Sequence, residues 1–292
     1  MITYGFLGWT LDSAQKFGIP RLVYYGMSNY SVSLTAVASQ SRQLTASTSW
    51  NQYTLITGIG KWDRKYGALD RFVWRRRLGK KQENYQTPSW IQWLDRKQEE
   101  GKPVLYVAFG SQADISREQI KQIKTGLEKS GVNFLWVVGK NQVEDDDGFE
   151  YRVKDRGMLV KEWVDQREIL EHSSVQGFLS HCGWNSVMES ICAKVPILAW
   201  PMMAEQPLNA KMVVEEIGIG LRVETSDGSM NGFVKWEKLE KVMKELMEGE
   251  MGKQLWKKVK QVGGAAAEAV AEGGSSWNAL NELINELHAQ RD

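Results

Sequence analysis

The chain of 292 residues has little cysteine, little histidine and no excess of one charge. Its two cysteines, Cys182 and Cys192, are too few for a disulfide framework and wrongly spaced for a zinc site. The 37 basic and 36 acidic residues are interspersed and give a net charge of +1. This balance provides no broad basic face, so nucleic acid and anionic lipid are poor candidates for a ligand.

Long apolar runs are also missing. The longest, "VPILAWPMMA" from Val195, contains two prolines and is much shorter than the roughly 20 residues of a membrane-spanning helix. The first residues, "MITYGFLGWTLDSAQ", have neither the basic start nor the cleavage pattern of a signal peptide. These absences predict a cytoplasmic globular protein with reduced thiols and without stable membrane insertion.

What the chain does contain is an alternation of short apolar runs with amphipathic stretches, beginning near residue 103. The apolar runs predict six strands, at 103–110, 133–139, 157–164, 174–180, 195–201 and 220–224. Helical patterns lie between them, for example at 184–191 and 207–217. This alternation predicts a parallel sheet covered on both faces, a doubly wound α/β domain that binds ligands at the carboxyl ends of its strands.

Two helical segments carry signals for their boundaries. Ser116 and Gln119 form a capping-box pattern at the start of the first helix. The tail from Trp236 to Gln290 is helical in pattern, and we expect breaks in it at Gly263-Gly264 and at Ser275-Ser276.

The first part of the chain has a different pattern. Residues from Phe6 to Tyr25 predict a helix followed by a strand in "GIPRLVYYG", a unit that would belong to a second α/β layer. From about residue 40 to residue 86 no regular period is present, so a loop or a disordered linker is expected there.

The stretch "FLSHCGWNSVMES", residues 178–190, concentrates polar side chains at a predicted strand end. His181 to Gly183 form the turn, and a helix then begins whose free backbone N–H groups face the ligand crevice. Such a helix start favours an anion, and a diphosphate there would also receive hydrogen bonds from His181, Asn185 and Ser186. The pattern therefore predicts an anion site.

Two further residues extend this site toward a nucleotide. Glu189 lies one helical turn beyond Ser186, where a carboxylate can accept hydrogen bonds from the vicinal hydroxyls of a ribose. Ser111, in "FGS" at the end of the first core strand, is placed to bind the other phosphate. A single His, Trp or Asn in such a turn is nevertheless more often a satisfied core group. No "GxGxxG" or P-loop motif is present to decide between the alternatives.

A longer pattern decides between them. From Trp163 to Gln206 the sequence reads "WVDQREILEHSSVQGFLSHCGWNSVMESICAKVPILAWPMMAEQ" and resembles the signature box of the plant UDP-dependent secondary-metabolite glycosyltransferases. The resemblance implies two facing Rossmann-like domains of the glycosyltransferase-B type. In that family the C-terminal domain holds the sugar donor, and the N-terminal domain holds most of the acceptor.

The resemblance also implies a role for each residue of the box. Trp163 would stack on uracil, Gln166 would hydrogen-bond near the nucleoside, and Glu189 would hold the ribose hydroxyls. The diphosphate would lie against Ser111, His181, Asn185 and Ser186, and the hexose against Trp184, Glu205 and Gln206. In this family, Trp and Gln at the positions of Trp184 and Gln206 usually accompany glucose. UDP-glucose is therefore the expected donor substrate, with UDP-galactose as the alternative, and no metal ion or other cofactor is expected.

The chain departs from the family in the residues that activate the acceptor. Its histidines are His172, His181 and His288. None of them lies near the start of the N-terminal domain, where the family has its catalytic histidine. Tyr4, in "MITYGFLGWTLDSA", occupies the position of the aspartate that partners this histidine. Both members of the catalytic pair are therefore expected to be absent. A smaller departure is Glu205, which stands where the family more often has Asp.

The resemblance covers residues 2–33 and 88–290, and the stretch between them is much too short for the rest of an N-terminal domain. We therefore expect a truncated or mis-spliced form in which Met1 is an internal start. Residues 1–87 would be a remnant of the acceptor domain with an irregular linker, and residues 88–292 would be the Rossmann-like domain that binds the UDP-sugar.

The sequence leaves two functions open. The first is the inverting transfer of a hexose from a UDP-sugar to a hydroxyl of a small lipophilic acceptor such as a phenolic or a flavonoid. The second is a UDP-sugar-binding fragment without transferase activity, because the catalytic pair is missing. A third class, an interaction protein that keeps the domain only as a scaffold, is disfavoured by the intact donor box.

Overall fold

The computed structural model describes residues 2–4, 16, 22–24, 87–110, 113–139, 147–229 and 232–289. The chain divides into two compact units, one of residues 1–73 with 266–292 and the other of residues 74–265. The domain boundary predicted between residues 87 and 88 stays a prediction.

The first unit contains a short parallel strand pair. Strand β1, Ile2–Tyr4, pairs with β2, Leu22–Tyr24, and Lys16 between them is helical. Strand β2 confirms the strand expected in "GIPRLVYYG", whereas β1 was not expected. Most of the helix predicted after Phe6, and the unpatterned stretch up to residue 86, lie outside the described residues.

The second unit is built on a six-stranded sheet. Its strands are β3 (Val104–Ala108), β4 (Asn133–Val137), β5 (Gly157–Val160), β6 (Val175–Ser180), β7 (Ile197–Ala199) and β8 (Gly220–Arg222). They lie in the order β5-β4-β3-β6-β7-β8, and each adjacent pair is parallel. All six predicted strands are confirmed, and this order is that of a doubly wound Rossmann-type sheet.

Helices connect and cover these strands. They are α1 (Ser89–Glu99), α2 (Arg117–Ser130), α3 (Phe149–Val153), α4 (Gln166–Leu170), α5 (Trp184–Ala193), α6 (Gln206–Lys211), α7 (Trp236–Glu248), α8 (Glu250–Val270) and α9 (Ser275–Ala289). A π-helical turn, Met212–Ile217, continues α6. None of the helices in the described ranges is long and apolar enough to cross a lipid bilayer.

The central strand shows why the sheet is covered on both faces. All five residues of β3 are buried. Leu105 and Val107 belong to one core cluster, whereas Val104 and Tyr106 belong to another. Because successive side chains of a strand point to opposite faces, a continuous apolar run requires a core on each side. The fold class predicted from the sequence is therefore confirmed.

The capping box predicted at the start of α2 is only half correct. Ser116 Oγ accepts a hydrogen bond from Gln119 N at 3.2 Å, as expected of an N-cap. The Gln119 side chain, however, does not hydrogen-bond to the backbone N–H of Ser116, as a full capping box requires. Its Nε2 donates to Val234 O and its Oε1 accepts from Val234 N, each at 2.9 Å. Gln119 thus ties α2 to the segment that precedes α7, and the buried amide is satisfied by the main chain.

The break expected at Gly263-Gly264 is wrong, because α8 runs through both glycines. A side chain at Gly263 would place Cβ 2.5 Å from the carbonyl oxygen of Ile191, the third residue from the C-terminal end of α5. At Gly264 no other atom lies within 4 Å of such a Cβ. Gly263 therefore serves the close approach of α8 to α5, and this packing outweighs the low helix propensity of glycine.

These two glycines provide a test of the packing. Gly263→Ala is expected to lower the free energy of unfolding by about 1–3 kcal/mol, because its methyl group would overlap main-chain atoms of α5. The matched control, Gly264→Ala, is expected to raise it by about 0.5–1 kcal/mol, because alanine favours a helix and has room there. Urea denaturation of both variants measures the difference. Equal stabilisation by the two substitutions would contradict the close packing.

Candidate functional site

The site predicted from the sequence lies where the strand order of the sheet reverses. Strands β3 and β6 are neighbours, with Ala108 beside Ser180 in the register. From β3 the chain continues to β4 on one side, and from β6 it continues to β7 on the other. Helices therefore leave the two strand ends on opposite faces, which opens a crevice at the carboxyl edge of the sheet. The predicted turn from His181 to Gly183 lies at this crevice.

Cys182 forms the centre of that turn and holds its shape. Its backbone is left-handed, with φ of 63°, a conformation that costs a residue other than glycine about 1–2 kcal/mol. Ser180 Oγ accepts from Cys182 N at 3.1 Å, and the buried Asn209 donates through Nδ2 to Cys182 O at 3.0 Å. Burial raises the pKa of the Cys182 thiol to about 12. The thiol is therefore protonated at neutral pH and has a structural role.

His181 fills the crevice between two glycines. A Cβ at Gly110 would lie 2.8 Å from His181 Nε2, and one at Gly183 would lie 2.5 Å from the same atom. Gly110 also has a φ of +76°, which favours glycine. Burial lowers the pKa of His181, although the backbone of Ala108 opposes this shift. The imidazole is therefore neutral at pH 7 and carries one N–H donor.

One ring nitrogen of His181 lacks a partner. Within the part of the chain that the structure describes, His181 Nδ1 is buried and makes no hydrogen bond. Buried polar atoms are almost always paired, so an unpaired one calls for a specific explanation, such as a bound molecule or a water. This observation is the first structural sign that the crevice receives a polar ligand.

The start of α5 contributes backbone donors beside His181. Gly183 is the N-cap and has no side chain, so no side chain caps the first turn. The helical ladder begins with the bond from Val187 N to Gly183 O, and the preceding N–H groups remain for an outside acceptor. Asn185 is exposed, whereas Trp184 and Ser186 are buried. The structure thus places these three predicted residues together at the helix start.

A hydrogen-bond network on the next turn joins α4 to α5. Gln166 Nε2 donates to Ser186 Oγ at 3.0 Å and to Glu189 Oε2 at 2.6 Å. Gln166 Oε1 accepts from the hydroxyl of Tyr106 at 3.3 Å. Burial raises the pKa of Glu189, and the hydrogen bond from Gln166 opposes that shift. Tyr106 was not predicted as a site residue, because its sequence context indicates only a buried strand.

The other predicted residues have distinct surroundings. Trp163 lies just before α4 with 78% of its surface exposed, so one face of the indole is open to a planar ligand. Glu205 is half-buried at the N-cap of α6. Gln206 Oε1 accepts from Met202 N and Met203 N, at 2.9 and 3.0 Å. Because Oε1 is occupied, a ligand would meet the Nε2 donor of Gln206. Ser111 lies outside the described residues.

His172, unlike His181, lies away from this crevice. His172 precedes β6 and so lies at the amino edge of the sheet, opposite to His181. Its Nε2 is 3.1 Å from Asp95 Oδ1, and its Nδ1 is 2.9 Å from Ser174 Oγ. His288 belongs to α9 and Tyr4 to β1, both in the other unit. In the described ranges, no three His, Cys, Asp or Glu side chains form a group that could hold a metal ion.

Comparison with known proteins agrees with this geometry. Residues 81–259 match the family "UDP-glucoronosyl and UDP-glucosyl transferase". The chain is 44% identical to UDP-glycosyltransferase 90A1 of Arabidopsis thaliana, over 100% of this chain and 73% of the relative. It is 42% identical to UDP-glycosyltransferase 90A2 of the same plant, over 98% of this chain and 73% of the relative.

Solved structures give the same result. UGT2 of Phytolacca americana, complexed with UDP-2fluoro-glucose and pterostilbene, is 28% identical and superposes with a TM-score of 0.73 over 98% of this chain and 75% of that one. A UDP-glucosyltransferase of Polygonum tinctorium is 25% identical, with a TM-score of 0.78 over 98% of this chain and 75% of that one. Since the family match spans more than half of the sequence and the relatives align along nearly all of it, the chain belongs to the plant UDP-glycosyltransferase family.

Proposed function

We propose that this chain binds a UDP-hexose at the crevice between β3 and β6 and transfers the hexose, with inversion, to a hydroxyl of a small lipophilic acceptor. The observation that carries the proposal is the arrangement at this crevice. A neutral imidazole precedes an uncapped helix start, and a half-buried carboxylate lies on the second turn of the same helix. The imidazole and the helix start complement the diphosphate of a nucleoside diphosphate, and the carboxylate complements its ribose.

The diphosphate lies over the start of α5 in this proposal. Free N–H groups and the helix dipole stabilise a negative charge there. We place the single imidazole proton on Nδ1, the ring nitrogen without a protein partner, so that His181 donates to the diphosphate. Asn185 donates from its exposed amide. Ser186 Oγ already accepts from Gln166, so its own proton is directed elsewhere and can be donated to a phosphate oxygen. Ser111 is proposed to bind the second phosphate.

The nucleoside lies along α4 and the second turn of α5. Uracil stacks on Trp163, whose exposed indole offers a flat apolar face of the kind that binds any base. The ribose hydroxyls donate to Glu189, which Gln166 holds in place. An ionised carboxylate is a pure acceptor and suits a pair of vicinal hydroxyls.

The hexose lies near Trp184, Glu205 and Gln206. Glu205 supplies an acceptor and Gln206 Nε2 a donor, so the pair can distinguish hydroxyls by their position. Glucose is the proposed hexose. Its support is the family's pairing of Trp and Gln with glucose, together with relatives such as the phloretin 2'-O-glucosyltransferases of Pyrus communis and Malus domestica, which are 40% identical over 68% of this chain. Phenolics and flavonoids are the proposed acceptor class.

The proposed reaction is a single displacement. The acceptor oxygen forms a bond to the anomeric carbon, the bond from that carbon to the diphosphate oxygen breaks, and UDP leaves with the electron pair. Negative charge then grows on the diphosphate, where His181 and the N-terminus of α5 already point donors. The acceptor proton passes to a base. No metal ion or other cofactor enters this scheme.

The positions of the histidines favour a second candidate, a UDP-sugar-binding chain that does not transfer. A positioned general base contributes about 10²–10⁴-fold to such a reaction. His172 is engaged by Asp95 and Ser174 at the opposite edge of the sheet. Tyr4 stands where the family has the partner aspartate, and an ordinary phenol has a pKa of about 10, far from that of an effective base at neutral pH.

Calorimetric titration with UDP tests the site. His181→Ala and Glu189→Ala are each expected to weaken UDP binding by about tenfold or more. The first removes a donor to the charged diphosphate, and the second removes a charged acceptor of the ribose hydroxyls. His172→Ala and Glu171→Ala are the matched controls, since His172 lies at the opposite edge of the sheet and Glu171 is exposed. Unaltered UDP affinity in both test variants would contradict the assignment.

Release of UDP distinguishes the two candidate functions. The protein is incubated with UDP-glucose and a panel of phenolic acceptors, and free UDP is measured, with His181→Ala as the negative control. Acceptor-dependent release supports the transferase. Binding of UDP-glucose without release supports the second candidate, and absence of binding to both UDP and UDP-glucose would overturn both.

A further inference from the structure

We infer that Tyr106 is a positioning residue that makes this site selective for ribose over 2′-deoxyribose nucleotides. Its hydroxyl holds Gln166, Gln166 holds Glu189, and Glu189 meets the sugar of the nucleotide. The inference rests on the function proposed above, since it concerns the same crevice. It adds a residue that does not touch the ligand and a selectivity that follows from its hydrogen bond.

Tyr106 is held rigidly in the middle of β3. Only 1% of its surface is exposed, and its ring stacks on Phe178 of the neighbouring strand with the ring centroids 4.8 Å apart. The hydroxyl reaches Gln166 Oε1 at 3.3 Å. Burial and the charge of Glu189 both raise the pKa of Tyr106. The phenol therefore stays protonated and acts as a donor that is fixed to the sheet.

The bond from Tyr106 fixes the whole amide of Gln166. Oε1 accepts from the phenol, so the two protons of Nε2 point the other way, one to Ser186 Oγ and one to Glu189 Oε2. Gln166 is the first residue of α4, and these three hydrogen bonds set the orientation of its amide. Tyr106, which is fixed in the sheet, thus also fixes the orientation of the Glu189 carboxylate on α5.

Glu189 is the end of this chain of bonds. Its Oε2 is occupied by Gln166, which directs Oε1 toward the ribose. A half-buried carboxylate that is held in one orientation can accept from two vicinal hydroxyls at once. A 2′-deoxynucleotide lacks one of these donors and leaves part of the charge uncompensated. Sites built to hydrogen-bond a hydroxyl reject analogues that lack it for this reason.

Removal of the phenol oxygen should free the Gln166 and Glu189 side chains from this fixed orientation without removing an atom that contacts the ligand. In Tyr106→Phe the ring still stacks on Phe178, but Gln166 Oε1 loses its donor in a partly buried position. The Gln166 side chain then exchanges with solvent, and Glu189 is no longer held toward the sugar. UDP binding should weaken about three- to tenfold, the loss expected for one hydrogen bond. Binding of 2′-deoxy-UDP should change little, because it uses the carboxylate less.

The test is calorimetric titration of wild type, Tyr106→Phe and Tyr151→Phe with UDP and with 2′-deoxy-UDP. Tyr151 lies on α3 with 74% of its surface exposed, so it is the matched tyrosine control. Wild type and Tyr151→Phe should prefer UDP by about tenfold or more. In Tyr106→Phe the preference should fall to about threefold or less through weaker UDP binding alone.

Each other outcome overturns the inference in an identifiable way. If Tyr106→Phe keeps the full preference for UDP, Tyr106 is only a packing residue, whatever its effect on the melting temperature. If wild type binds UDP but does not prefer it to 2′-deoxy-UDP, ribose selectivity is wrong while the donor site stands. If wild type binds neither nucleotide, the proposed function itself fails. Should Tyr106→Phe not fold, Gln166→Met decides, since it removes the middle of the chain of bonds and should abolish the same preference.

Discussion

The His181 imidazole lies against two glycines, and this close contact determines the geometry of the whole site. Any side chain at Gly110 or Gly183 would occupy the position of His181 Nε2. Because both are glycine, the imidazole enters the crevice between β3 and β6 at the point where the strand order reverses. The left-handed Cys182 then turns the chain, so that α5 starts beside the imidazole and presents its free N–H groups to the same space.

Hydrogen bonds between helices fix the parts of the crevice relative to one another. Asn209 of α6 donates to the carbonyl of Cys182, so the helix that begins at Gln206 is tied to the turn that follows β6. Gln166 of α4 ties the second turn of α5 to Tyr106 in the sheet. In the proposed function these links hold the hexose, phosphate and nucleoside positions in one frame. Preorganised donors of this kind cost no rearrangement when charge develops on a leaving group.

Local sequence patterns predicted the six strands of the larger sheet and the strand–turn–helix motif, because buried parallel strands read as continuous apolar runs and the box from Trp163 to Gln206 is contiguous. They missed contacts between distant positions. The bond between Tyr106 and Gln166 spans 60 residues, and the clamp of Gln119 on Val234 spans 115. Gly263 was mistaken for a helix break because its packing partner, Ile191, cannot be recognised from helix propensity.

A crystal structure of this chain with bound UDP would show directly whether the nucleotide lies in the crevice between β3 and β6. We expect the diphosphate against His181 and the backbone N–H groups at the start of α5, the ribose hydroxyls on Glu189, and uracil on the exposed face of Trp163. Nucleotide bound away from the β3–β6 crevice would contradict it. So would UDP in the reverse orientation, with the base over α5 and the phosphates toward Trp163.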